Sequence, residues 1–254
     1  DKTYLERISF LYLYNFGVLG MKKILIGLGV LVVLAGAVVT WWTYEFPSAT
    51  WRYKITVEVE TPEGLKIGSA VRQLRQYTDI KIGDTGGGSA GTSGEAVVVD
   101  LDQRGKLFMT VGEDHYFLFR IFPFSKGGNT PEGMKYYSHL KNAKASILGL
   151  ENLSPQIVTF TDIKDPKSVE LVYGGRFDPV TQKTIPVDDF EKIFGAGVKL
   201  KDISIETTDE PMTRGVVDAV LPWLKELHGG YLDGGYTARS APLGLYAGQF
   251  QIGD

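Results

Sequence analysis

The chain has no cysteine and only three histidines among 254 residues. Without thiols there can be no disulfide, no thiolate metal site, no cysteine nucleophile and no lipid-modified N-terminal cysteine, so the fold rests on packing alone. His115, His139 and His228 stand apart from one another, and none belongs to an H-x-H or H-x-x-x-H pair that would suggest a metal. Positive charge is not in excess either: 27 Lys and Arg face 30 Asp and Glu, a net −3. Setting aside the four Lys/Arg and three Asp/Glu of the first forty-six residues leaves the rest at −4, with the two signs interspersed. Phosphate backbones demand clustered cations, so nucleic acid is not an expected partner. On sequence alone no catalytic, cofactor-binding or metal-binding residue is assigned, and no cofactor is expected.

What the chain does have is one long apolar run. Residues 21–46 read MKKILIGLGVLVVLAGAVVTWWTYEF, and the stretch 24–42 carries no charge. Nineteen residues at 1.5 Å rise span about 28 Å as a helix, close to the roughly 30 Å hydrocarbon core of a bilayer. Lys22 and Lys23 precede it, while Trp41, Trp42 and Tyr44 close it, where amphipathic rings favour headgroups. The pattern predicts a single transmembrane anchor with a cytoplasmic N-terminus and an exported C-terminal body. Gly29 and Gly36, seven residues apart, leave one helix face small enough for close approach of another helix. A cleaved signal peptide is the competing reading, since Ala35-Gly36-Ala37 satisfies the A-x-A pattern. The apolar run continues past that point into the Trp pair, which favours retention. Residues 1–20 precede a natural-looking Met-Lys-Lys start and are expected to be an upstream extension outside the native fold, with an interfacial helix or a partner contact as alternatives.

The body from Pro47 onward is long enough for one large domain or two small ones. Trp51, Tyr53, Ile55, Val57 and Val59 alternate with polar residues, the period of a half-buried strand. Thr61-Pro62-Glu63-Gly64 is a turn, and Leu65, Ile67 and Val71 are expected to resume the alternation in an antiparallel hairpin. Residues 83–94 are expected to form a mobile glycine-rich loop. Strands follow at 95–101 and 106–111 around a turn at 102–105. The nearly all-apolar run 116–124 predicts a central strand. A helix capped by Thr130 is expected to bury Tyr136, Leu140, Ala143 and Ile147. Further strands are expected at 157–161, 168–173 and 198–206, with a polar loop or hairpin tip at 174–184. A short helix capped by Asp188 should end at Gly195, and a helix opening at 208–211 should run to Leu221. The fold class expected is α+β: an N-terminal transmembrane helix, then a β-rich, antiparallel, sandwich-like domain with two or three short helices. Its parts are 1–20, the anchor 21–46, a β-rich half 47–149, an α+β half 150–227 and a Gly/Tyr-rich tail 228–254.

Two literal motif matches fall in the glycine-rich stretch. Gly86, Gly88 and Gly91 satisfy G-x-G-x-x-G, and Ser89 sits in G-x-S-x-G. Both motifs need a following helix, and a β-branched run follows instead. Ser89 or Ser93 with His115, the carboxylates Asp162 and Asp165, and the group Asp202, Asp209 and Glu210 are the conceivable catalytic sets; turn and helix capping explains the carboxylates better. The hairpin WRYKITVEVETPEG after a span, the block TFTDIKDPKSVELV, and VKLKDISIETTDEPMTRG leading to LPWL together resemble an uncharacterised family of single-span bacterial envelope proteins with no assigned activity. That resemblance implies a bacterial inner-membrane location with the body in the periplasm, and transfers no functional residue. The expected function is non-enzymatic: a body that binds a membrane or envelope protein next to the lipid bilayer. A ligand- or glycan-binding module using Tyr231, Tyr236 and Tyr246, and a membrane-tethered hydrolase, are the alternatives.

Overall fold

A computed structural model describes residues 23, 25–42, 46–78, 88–150, 155–178, 180–232 and 243–253. The chain divides into two compact units, Asp1–Pro47 and Ser48–Asp254. In the first, Leu25–Trp42 forms helix α1, 18 residues with mean hydropathy 2.3 and none of that window buried. It is long and apolar enough to cross a membrane, as a signal helix also would be. Thr40 donates its hydroxyl to the Gly36 carbonyl at 2.8 Å, so this polar side chain is satisfied within the helix. Lys23, Gly29, Gly36, Trp41 and Trp42 lie on described positions, all exposed. Lys22, Tyr44 and the extension 1–20 lie outside the described residues.

The second unit is α+β, with two antiparallel sheets. Strands β1 (Ser48–Thr61) and β2 (Gly64–Tyr77) form the predicted hairpin, paired in unbroken register from Ser48 opposite Tyr77 to Thr61 opposite Gly64. The remaining strands are β3 (Ser89–Glu95), β4 (Val97–Asp100), β5 (Lys106–Met109), β6 (Lys144–Ser146), β7 (Ile157–Phe160), β8 (Val169–Asp178), β9 (Lys183–Asp188), β10 (Lys199–Thr208) and β11 (Gln251–Ile252). One sheet runs β11-β3-β2-β1-β10-β6 and the other β4-β5-β7-β8-β9. Strands from before and after residue 150 meet in both sheets. Trp51, Tyr53, Ile55 and Val57 face Val97, Val99, Leu107 and Met109 in one shared core. The other face of the second sheet buries Phe108, Val158 and Phe160 against Val217, Leu221, Leu245 and Phe250. Burial on both faces explains why β5 and β7 read as short continuous apolar runs.

Several expectations need correction. Residues 116–124 are not a strand: His115–Ile121 is helix α2, with Leu118 and then Phe122 turned into the core. Helix α3 (Pro131–His139) is capped as expected, Thr130 accepting from the Gly133 N–H at 3.0 Å, but it stops early. The Ala143 N–H and C=O are both taken by Thr207 of β10, so the sheet edge captures the chain that a longer helix would have used. Helix α4 (Phe190–Phe194) follows Asp189 rather than Asp188, and neither aspartate caps it through its side chain. With α5 (Val216–Val220), the body has four short α-helices among the described residues instead of two or three. Leu65 and Ile67 point outward, 44% and 57% exposed; the inward positions of β2 are Ala70, Arg72, Leu74 and Gln76. The glycine-rich stretch is ordered from Ser89 on as β3, while 79–87 lies outside the described residues. The tail closes on the body through β11 and through Leu245, Ala247 and Phe250, all buried; 233–242 lies outside the described residues.

Residues 209–215, expected to begin a helix, instead form a strap. The Asp209 carbonyl accepts from Arg52 at 2.9 Å, Glu210 pairs with Lys54 at 3.1 Å, and Thr213 exchanges two bonds with Val71. The strap thus passes from β10 across β1 to the far side of β2. Helix α5 can start only after Gly215, whose φ of +80° suits glycine.

At Gly68 the two sheets approach too closely for a side chain: a Cβ there would run into the Val98 carbonyl oxygen and lie 2.8 Å from a Val99 methyl. Gly68→Ala should therefore lose about 1–3 kcal/mol in urea denaturation, as overpacked sites do. Gly91→Ala, where a Cβ meets nothing within 4 Å, should stay within about 0.5 kcal/mol of the parent.

Candidate functional site

The inward parity of β2 carries one charged residue into the core. Arg72 sits between Ala70 and Leu74 and is fully buried. Its Nε donates to the Glu95 carbonyl at 2.9 Å, Nη1 to Asp114 Oδ2 at 2.8 Å, and Nη2 to the carbonyls of Met109 at 2.9 Å and Thr110 at 3.2 Å. The Tyr53 hydroxyl donates to the same Asp114 oxygen at 2.7 Å. Room for the guanidinium depends on Gly94, whose φ is +137° and whose Cβ would come within 2.9 Å of Arg72 Cγ. Desolvating an ion pair costs several kcal/mol per charge unless the remaining donors are satisfied, and here almost every one is. Burial, then the Asp114 charge, pushes the Tyr53 phenol well above its usual range.

A second buried carboxylate lies one strand away. Glu95 accepts the backbone N–H groups of Gly215, Val216 (2.9 Å) and Val217 (3.1 Å), and so fastens the end of the strap. Three backbone N–H groups at the start of α5 donate to this one carboxylate, the arrangement in which a helix start generally holds an anion. Sequence reading missed Arg72, Asp114 and Glu95 altogether. The available signal was a charge at an inward position of an alternating strand.

The candidates named from sequence do not converge. His115 contacts the rings of Tyr116 and Phe119, and among the described residues no hydrogen bond joins it to Ser89 or Ser93. Burial lowers its pKa, more than Glu113 and Asp114 raise it. The side chains of Asp162 and Asp165 accept from the N–H groups of Lys164 and Lys167, the turn-capping role. Asp202 accepts from Ser146, Asp209 from Lys141 and Glu210 from Lys54, three separate surface contacts. His139 bonds within α3. Tyr231 and Tyr246 meet edge-on with centroids 6.2 Å apart, and Tyr236 lies outside the described residues. No cluster of three or more metal-ligating side chains occurs among the described residues.

One surface cleft of about 260 Å³ opens beside the first residues of β1, lined by Thr50, Arg52, Gln73, Ser138, Lys141 and Asp209. Its floor is rigid. Trp51 stacks on Tyr137 at 5.5 Å and 11°, donates to Gln76 at 2.7 Å, and Tyr137 donates to the Phe122 carbonyl at 2.6 Å. Its cations are already engaged, Lys141 with the Asp209 carboxylate and Arg52 with the Asp209 carbonyl. The cleft offers a polar contact surface; at its edge the Ser138 hydroxyl lies 3.2 Å from His139 Nδ1, a contact between neighbours at the end of α3 in which His139 Nδ1 is also 2.7 Å from the Lys135 carbonyl.

Comparison with family models, curated proteins and solved structures finds no match to this chain.

Arg72→Met should destabilise the body by about 3–5 kcal/mol in chemical denaturation, because Asp114 is then buried without its cation. An alkaline limit is also expected. Burial raises the Tyr137 pKa to about 12 and Tyr53 well above 10. Above about pH 10 the unfolded chain gives up these protons while the folded chain keeps them, so stability falls as pH rises. Tyr53→Phe should flatten that fall between about pH 9 and 11.5 while lowering stability at pH 7 by about 1–2 kcal/mol, measured by urea midpoints at each pH.

Proposed function

We propose that this chain is a single-pass protein of the bacterial inner membrane, its N-terminus cytoplasmic and its Ser48–Asp254 body exported to the periplasm. The body binds another membrane or envelope protein, as an accessory subunit would, and its two sheets stack as the layers of a sandwich. The observation that carries the reading is helix α1: 18 residues of mean hydropathy 2.3, with no part of that window buried. In water, a helix so exposed and apolar would aggregate or seek cover, and a bilayer is the cover that its length fits. Lys22 and Lys23 before it set the orientation. The body supports a binding role in that its buried charged side chains, Arg72, Asp114 and Glu95, are spent on internal structure.

The test is recovery of tagged protein from native membranes in mild detergent, with a version lacking residues 21–46 beside it. A stoichiometric partner, lost without the span, is the expected result; recovery of both forms alone would remove partner binding from the reading. Within the span, a Cβ at Gly29 or Gly36 would meet nothing among the described residues within 4 Å beyond its own stretch of helix backbone, so both glycines are open to a neighbouring helix. Gly29→Leu with Gly36→Leu should reduce partner recovery several-fold while leaving flotation with membranes intact.

A further inference from the structure

We infer that the β8–β9 hairpin is a second membrane contact, a two-stranded finger whose tip enters the lipid headgroup layer at the end of the body that joins the anchor. The inference rests on the anchored reading above. The finger leaves the core after Tyr173, and its side chains include Phe177, Val180 and Ile185, which are 62%, 89% and 41% exposed. Phe177 pairs with Thr184 and Arg176 with Ile185, so Phe177 and Ile185 lie on opposite faces of the two-stranded ribbon. A flat protein surface could cover one of them and leave the other wet. Lipid surrounds a finger on all sides.

The chemistry of the tip suits headgroup depth. Arg176 and Lys183 provide cations for phosphates beside an aromatic ring, the combination favoured at membrane interfaces. Asp178 turns its carboxylate back on the turn, accepting from the Val180 N–H at 2.9 Å and the Thr181 hydroxyl at 2.7 Å, which fixes the tip. A charged carboxylate at that place rules out deep insertion and leaves the interface.

Topology sets which end of the body the tip occupies. From the tip, β9 leads through α4 to Gly197, packed against Pro62, and Arg104 binds both Glu63 and the Phe194 carbonyl. That run therefore ends at the β1–β2 turn, and the tip lies at its other end. Strand β1 has 14 residues, so Ser48 is about 43 Å from the same turn at roughly 3.3 Å per residue. Strand β4 runs toward that turn, ending beside the Lys66–Asp102 pair, and through the antiparallel β5 and β7 strand β8 runs away from it, as β1 does when followed back to Ser48. Five residues separate Trp42 from Ser48, a reach of about 20 Å at most. Two more exposed side chains mark the Ser48 end: Tyr77 lies opposite Ser48 and Arg75 opposite Thr50.

The lack of cysteine makes a clean test possible. Val180→Cys in the full chain gives a single thiol for an environment-sensitive fluorophore, with Lys164→Cys, exposed beyond the other end of β8, as the reference position. In lipid vesicles, the label at 180 should shift to shorter wavelength and be quenched at least twofold more by lipid-borne nitroxides than the label at 164. Adding Phe177→Ser should abolish that difference. Quenching at 180 by aqueous iodide, equal to that at 164, would overturn the inference. So would protection from both quenchers, since another copy of the chain would then be covering the tip. If the labelled chain failed to float with the vesicles at all, the anchored reading would fail, whereas flotation with a water-exposed label at position 180 would sink the finger alone.

Discussion

The guanidinium of Arg72 is the constraint on which the body depends. It collects the carbonyls of Glu95, Met109 and Thr110 and the carboxylate of Asp114, so one side chain ties β2 and β3 of the first sheet to β5 of the second and to the start of α2. Dispersion between apolar faces would tolerate many offsets between two sheets; a fully desolvated ion pair tolerates one. Glu95 extends the same device. Its carbonyl serves Arg72 while its carboxylate serves the strap before α5, so the C-terminal segment is indexed to the same point.

Where sequence and structure agree, the reason is periodicity against a single buried face. The alternation from Trp51 to Val59 was legible because the outer face of β1 stays wet, and Pro62 with Gly64 marked the turn. The run 116–124 was not legible, because phenylalanines on every side hide a 3.6-residue period; only the burial of Leu118 and Phe122 shows which face matters. The outward turn of Leu65 and Ile67 misdirected the parity of β2 and concealed Arg72 at an inward position. Glycine in 88–94 suggests looseness, yet Gly94 is there because a side chain would strike Arg72. The strap was unreadable for another reason: Asp209, Glu210 and Pro211 resemble a helix start, and only the distant partners Arg52, Lys54, Val71 and Glu95 hold the segment extended. Of the functional readings, the apolar helix was fully legible, while the buried node and the exposed finger required coordinates.

The second sheet has a different dependence. Its outer face is covered by α5, the turn after Pro222 and the tail around Phe250, which packs on Phe108 and Phe160 with ring centroids 6.0 and 5.8 Å away. The tail is therefore part of the core. Tyr246 and Gln249 close a reciprocal cap that sets Phe250 in place, and the backbone then delivers β11 to the edge of β3.

The order of the first sheet has a consequence for biosynthesis. Strands β2 and β10 flank β1, yet β2 follows it by two residues, whereas β10 begins only at Lys199. A chain made from its N-terminus completes the long hairpin at once and must then wait for most of the body before β1 receives its second neighbour. Throughout that interval, a fourteen-residue ribbon edge carrying Trp51, Tyr53, Ile55, Val57 and Val59 on one face stands open to other nascent chains. The body is thus open to edge-to-edge aggregation before it is finished, and a chaperone that shields strand edges would act on β1 during that interval.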